Sequence, residues 1–199
     1  MSRSLRTPML AALGAATLSA CVSFGSEPPP FLLTLTADAA PAAGQARTTG
    51  EAQALTILIP TAPQKLRTQR IPVQQDDASI AYVKDAQWVE APQRLFQRLL
   101  SETVAARTNR VILDEGQYLT APGEQLAGQL LDFGVDEATN EAVVVYQAML
   151  VGAGGKSVTQ RRFEAREPIG GKIEAKRVGE ALTTAANKVA GDVAGWLAG

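Results

Sequence analysis

The sequence has no histidine, and its 199 residues include only one cysteine, Cys21. Without histidine there is no histidine-based catalytic triad, no imidazole proton shuttle and none of the commonest zinc sites. A lone cysteine cannot close an intrachain disulfide, so a fold built from this chain is held by its core. Aromatic residues are sparse at 5%, and neither sign of charge dominates, with 19 basic and 20 acidic side chains. That balance gives no electrostatic footprint for nucleic acid. What is present is ordinary globular material: 46% hydrophobic and 20% charged residues suit one domain with a sizeable core. Catalysis, if any, would fall to carboxylates, lysine, tyrosine or serine.

The first twenty residues differ from the rest. Arg3 and Arg6 form a short basic region, and the run from Thr7 to Ala20 carries no charge. Such a run is too short to span a bilayer, but with small residues at its end it describes a cleavable export signal. Its last residues, Leu18-Ser19-Ala20-Cys21, resemble the lipobox of bacterial lipoproteins. That resemblance implies cleavage between Ala20 and Cys21 and acylation of the Cys21 sulfur, a covalent lipid in place of any cofactor. The alternative is a small apolar residue or a free thiol at that position. Removing the leader takes away two of the 19 basic side chains and no acid, leaving 17 against 20. The expected organisation is residues 1–20 as signal, 21–30 as a tether stiffened by Pro28, Pro29 and Pro30, and 31–199 as a single domain.

Within that domain the periodicities predict strands at Phe31–Thr36, Ala54–Ile59, Arg70–Gln74, Ser79–Val83, Val111–Leu113, Glu124–Phe133, Ala142–Val151 and Val158–Arg166. Ala37–Gln53, rich in Ala, Gly, Thr and Pro, reads as an exposed loop. Gln75-Asp76-Asp77 suits a hairpin turn, and so does Gly152-Ala153-Gly154-Gly155. A helix entered at Trp88, with Pro92 in its first turn, has Leu95, Phe96, Leu99, Leu100 and Val104 on one face and ends near Asn109. A second spans Lys172–Leu197, its stripe of Val178, Leu182, Ala185, Val189 and Val193 small enough for close approach to a sheet. The predicted fold class is α+β: an antiparallel or mixed sheet of six to seven strands with two amphipathic helices packed on one face.

Three groups suggest chemistry. Gly154-Gly155-Lys156-Ser157 looks like the end of a phosphate-binding loop, but Leu150 stands where the leading glycine belongs and a strand follows instead of a helix. Asp132, Asp136, Glu137 and Glu141 supply neighbouring carboxylates at spacings that fit neither a calcium loop nor a paired-acid hydrolase, so they read as solvated loop acids. Arg161-Arg162 and Lys172–Arg177 read as solvated basic faces. Tyr82 and Trp88 are the large aromatics nearest the first helix, and by composition both are core residues.

The order of features resembles the ABC-type transport auxiliary lipoproteins: Leu18 to Cys21, strand Phe31–Thr36, the loop Ala37–Gln53, Ile59-Pro60, Arg70-Ile71, Tyr82, then Trp88-Val89-Glu90-Ala91-Pro92-Gln93-Arg94-Leu95. The specific part lies within residues 54–100. Family members often carry a second aromatic beside the tyrosine, whereas Ala81 and Val83 flank Tyr82 here. The resemblance implies a non-enzymatic accessory of an envelope transport system that moves lipids or other hydrophobic molecules. Its partners would be a mammalian-cell-entry-type substrate-binding protein and an ABC permease with its ATPase, with Tyr82 and Trp88 as candidate contacts. Val22 after the acylated cysteine implies the outer membrane, periplasmic side. Rival readings are a lipoprotein serving another envelope machine, such as peptidoglycan synthesis, and a hydrolase built on Asp132 or Asp136.

Overall fold

The computed structural model describes residues 29–44, 46, 48, 54–114 and 123–199; the leader, Ala20 and Cys21 lie outside them. Seven strands form one mixed sheet organised around a single long strand. In chain order they are β1 (Leu55–Ile57), β2 (Arg70–Gln74), β3 (Ile80–Gln87), β4 (Ile112–Leu113), β5 (Glu124–Asp136), β6 (Glu141–Val151) and β7 (Val158–Pro168). One edge of β5 is shared end to end by two short parallel partners, β1 against Glu124–Leu126 and β2 against Val135 and Asp136. Pro60 cannot donate to the ladder. Beyond it Thr61 bridges the gap, its N–H donating to Gly128 O at 3.0 Å and its carbonyl accepting from Leu130 N at 2.8 Å. The other edge of β5 pairs with antiparallel β6, and β6 with antiparallel β7. β4 lies outside β1, and β3 is the edge beyond β2.

The two helices are α1 (Pro92–Thr108) and α2 (Ala175–Ala198). Pro92 starts α1, where its missing N–H costs nothing. Asn109 at φ 55° ends it in the left-handed conformation that asparagine tolerates. Both helices cover the same side of the sheet. Phe96 of α1 packs edge-on against Phe133 and Tyr146, and Trp196 of α2 lies 5.8 Å from Phe163, the cross-strand partner of Tyr146. The expected stripe of α2, from Val178 to Val193, is buried throughout. β6 is apolar on both faces for two reasons: Ala142, Val144, Tyr146 and Ala148 meet the helices, while flanking strands and their side chains shelter Val143 on the other face.

Close packing leaves no room at one glycine. A Cβ on Gly128 would lie 2.6 Å from the ring and hydroxyl of Tyr146, whose OH donates to Ala127 O at 3.0 Å. Burial of that phenol raises its pKa above the ordinary tyrosine range. Gly128→Ala should therefore cost about 1–3 kcal/mol of overpacking. The check is a thermal melt, in which each kcal/mol lowers the midpoint by about 2–4 °C for a chain of this size.

The segment Phe31–Thr36 corrects the sequence reading. It is extended, with Leu33 and Leu35 half-buried against the core, but it is no strand of the sheet. Among the described residues its only ladder contact is a parallel bridge at Leu33 and Trp88: Leu33 N donates to Gln87 O, and Val89 N to Leu33 O, each at 2.8 Å. Beyond that a helix side chain replaces the missing strand. Asn187, buried on α2, donates to Thr36 O at 2.9 Å and accepts from Asp38 N at 2.8 Å. Gly179 admits the segment, since a Cβ there would lie 2.7 Å from Leu33 Cδ2. Alternating apolar residues report one buried face of an extended chain, not what pairs with its backbone. Replacing Asn187 by alanine should leave part-buried backbone groups of Thr36 and Asp38 without this partner and cost about 0.5–1.5 kcal/mol. Limited proteolysis would then show faster cutting between residues 33 and 44.

Candidate functional site

The sheet edge formed by β2 and β3 departs most from regular geometry. Pro72 pairs with Tyr82, yet Arg70 pairs with Gln87, so Val83, Lys84, Asp85 and Ala86 together stand opposite Ile71. Four residues against one make a large bulge, a device that bends an edge strand and redirects its side chains. Asp85 takes φ 53°, uncommon for a residue with a side chain, and this lets the chain turn back. Val83 and Ala86 are buried and pin the bulge to the core, while Lys84 and Asp85 stand in solvent with a 4.0 Å ion pair between them. The sequence pattern had ended this strand at Val83. The polar pair Lys84-Asp85 interrupts the alternation, but the strand resumes beyond the bulge.

Under the bulge is a cavity of about 460 Å³ lined by Pro29, Arg70, Tyr82, Val83, Lys84, Asp85, Ala86 and Gln87. Arg70 lies flat over Tyr82, its guanidinium carbon 3.9 Å from the ring centroid. Stacking engages the face of the guanidinium and leaves its in-plane N–H donors for an acceptor. Among the described residues no carboxylate pairs with Arg70, whereas Arg98, Arg110, Arg166 and Arg177 all have acidic partners. The arrangement can therefore receive an anionic or polar group beside an aromatic surface.

Tyr82 and Trp88, taken together in the sequence, are separated by the fold. Tyr82 is half-exposed at the cavity. Trp88 is 0% exposed, with its ring edge-on to Phe133 at 5.6 Å and its backbone N–H on Gln69 O. A side chain with no accessible surface meets no partner from this conformation, so the candidate contact role for Trp88 gives way to a packing role. Its indole N–H has no acceptor among the described residues, so shape holds it in place.

Of the carboxylates considered from sequence, Asp132, Asp136 and Glu141 lie on the sheet face away from the helices, and Glu137 lies in the turn after β5. Arg166 gathers two of them, Asp136 at 3.0 Å and Glu141 at 3.3 Å, together with Glu164 at 2.9 Å. The hydrogen bond from Arg166 holds Asp136 below the ordinary carboxylate range, and the bond to Glu164, then that to Asp136, raises Arg166. A depressed carboxylate stabilises above its unfolded-state pKa, and that contribution fades as pH falls through the folded value. Asp132 pairs with Lys65 at 3.1 Å, and Glu137 is exposed. At the hairpin, Asp76 is lowered by the Ser79 hydroxyl and the Ala78 N–H it accepts from. Gly154-Gly155-Lys156-Ser157 forms the tight turn between β6 and β7, with Gly154 and Gly155 at φ 68° and 72°, and no helix follows it.

Sequence reasoning missed Asn187 and the bulge. A polar residue inside the apolar stripe of α2 was the available signal for the first. Nothing local marks the second.

Comparison with known proteins bears on these features. No curated protein sequence matches the chain significantly. Among solved structures, a Xanthomonas campestris protein of the DUF330 family superposes with TM-score 0.66 at 16% identity, covering 84% of this chain and 94% of that one. An uncharacterised protein superposes with TM-score 0.64 at 12% identity over 76% and 96%. A dodecameric PelC from Paraburkholderia phytofirmans is more distant, with TM-score 0.42 at 11% identity over 75% and 91%. The family described as the ABC-type transport auxiliary lipoprotein component matches residues 33–194, which takes in most of the clamped first segment, the bulged edge, α1 and all but the end of α2. The chain belongs to the ABC-type transport auxiliary lipoprotein component family.

Proposed function

We propose that this protein is a non-enzymatic accessory lipoprotein, anchored by acyl chains on Cys21, in an envelope system that moves lipids or other hydrophobic molecules between membranes. The observation that carries the reading is the family match over residues 33–194 standing immediately behind the lipobox-like Leu18-Ser19-Ala20-Cys21. An accessory role asks for a docking platform and no reacting groups. The sequence without histidine and the carboxylates engaged in ion pairs suit that requirement. The partners are a mammalian-cell-entry-type substrate-binding protein and the ABC permease with its ATPase. Val22 after Cys21 favours the periplasmic face of the outer membrane. Among the described residues no helix is long and apolar enough to cross a membrane, so the proposed attachment is the lipid.

The test is crosslinking in the native host, followed by isolation of the full acylated protein from membranes and mass spectrometry. Recovery of a mammalian-cell-entry protein with the permease and ATPase is the expected result. Recovery of peptidoglycan synthases in their place would assign the protein to another machine.

A further inference from the structure

We propose that the corner where the tether joins the domain rests on the bilayer itself, with Leu32 and Val89 in the interface and Arg70 receiving a phosphate-bearing headgroup. This rests on the Cys21 anchor proposed above and adds a membrane-facing orientation to it. Single exposed apolar residues need no explanation. Here, however, three of the five large apolar side chains exposed among the described residues, Phe31, Leu32 and Val89, sit in one place. The backbone pairing of Leu33 with Gln87 and Val89 brings the segments side by side. Alternation along them then puts Leu32 and Val89 on the side opposite buried Trp88 and half-buried Leu33.

The occupant follows from the tether. Cys21 precedes Phe31 by ten residues, and such a chain reaches about 35 Å at full extension. This corner is therefore the part of the domain nearest the anchor along the chain. Pro29, the first described residue, already lines the Arg70 cavity. Arg70, which has no acidic partner among the described residues, suits a phosphate oxygen with its in-plane donors, and Lys84 adds a second cation whose charge Asp85 partly offsets. Apolar side chains beside the Arg70 guanidinium match the layered chemistry of a headgroup interface, where side chains insert by about 5–10 Å.

Cys21 is the sole cysteine, so once acylated it leaves an introduced cysteine as the only thiol for a fluorophore. Full acylated protein carrying Leu32→Cys, Val89→Cys or, as control, Val158→Cys would be reconstituted in phosphatidylcholine vesicles with and without phosphatidylglycerol. Val158 is an exposed apolar residue on the opposite edge strand. Flotation reports the anchor, and quenching by spin-labelled lipid reports the contact. The expected result is several-fold stronger quenching at 32 and 89 than at 158. It should increase with phosphatidylglycerol, and Arg70→Gln should remove about fivefold of that anionic-lipid preference. Flotation with equal quenching at all three positions overturns the contact and leaves the anchor standing. Failure to float overturns both. Strong quenching at 32 and 89 that ignores Arg70→Gln overturns the headgroup assignment.

Discussion

Replacing Cys21 by serine is expected to move the protein out of the membrane fraction and abolish its labelling by a fatty acid supplied to cells. Each buried methylene contributes about 0.8 kcal/mol to membrane binding, so one chain holds a protein only marginally and two or three hold it durably. The variant keeps every residue of the domain and loses the whole of that anchoring free energy. If the leader stays uncleaved, it replaces the anchor poorly. The uncharged run from Thr7 to Ala20 is 14 residues, about 21 Å as a helix against a hydrocarbon core of about 30 Å. Fractionation with an alkaline wash, beside mass spectrometry of the wild-type N-terminus, makes the measurement. Wild-type retention of the serine variant, or an unmodified N-terminus on protein from its host, would remove the foundation of the proposed function.

The second large effect concerns stability. Trp88→Ala should cost about 3–5 kcal/mol, a large fraction of the 5–15 kcal/mol typical of a whole domain. The indole is fully buried and stacks edge-on against Phe133, which in turn meets Phe96, so its removal opens a cavity where the first segment, β3 and α1 converge. Among the described residues the indole N–H has no hydrogen-bond partner to lose. Trp88→Phe should therefore recover much of the difference by restoring ring packing. Urea unfolding followed by far-UV circular dichroism is the readout, because the substitution removes one of the two tryptophans. An alanine variant as stable as the wild type would contradict the packing role and reopen Trp88 as a surface residue. Tyr82→Ala, by contrast, loses one exposed cation–π contact with Arg70, about 0.5–1 kcal/mol.

Most of the scaffold was legible. The buried face of α1, the stripe of α2, the apolar run of β6 and the turn at Gly152–Gly155 follow from residue periods and from where proline and glycine stand. The α+β class follows from their order. The site was less legible because its defining events are non-local. The alternation stops at Val83, and only the pairing of β2 with the chain on both sides of Lys84 and Asp85, at Tyr82 and again at Gln87, carries the strand onward. Phe31–Thr36 has the alternation of a strand, yet its partners are Trp88 and Asn187, one 55 and the other about 150 residues distant.

From the sequence alone came a lipobox-like motif at Leu18 to Cys21, the lack of histidine, and segments whose hydrophobic spacing commits them to helix or extended chain. These are local properties, because a period of two or 3.6 says which face an element buries and needs no knowledge of the neighbour. The tertiary structure decided the rest. It chose which aromatic of Tyr82 and Trp88 stays at the surface, stacked Arg70 on Tyr82 beside a cavity, and tied the first segment to Asn187. Those outcomes depend on register and on which elements meet, and the free energy that selects them is gained only when distant parts of the chain pack together.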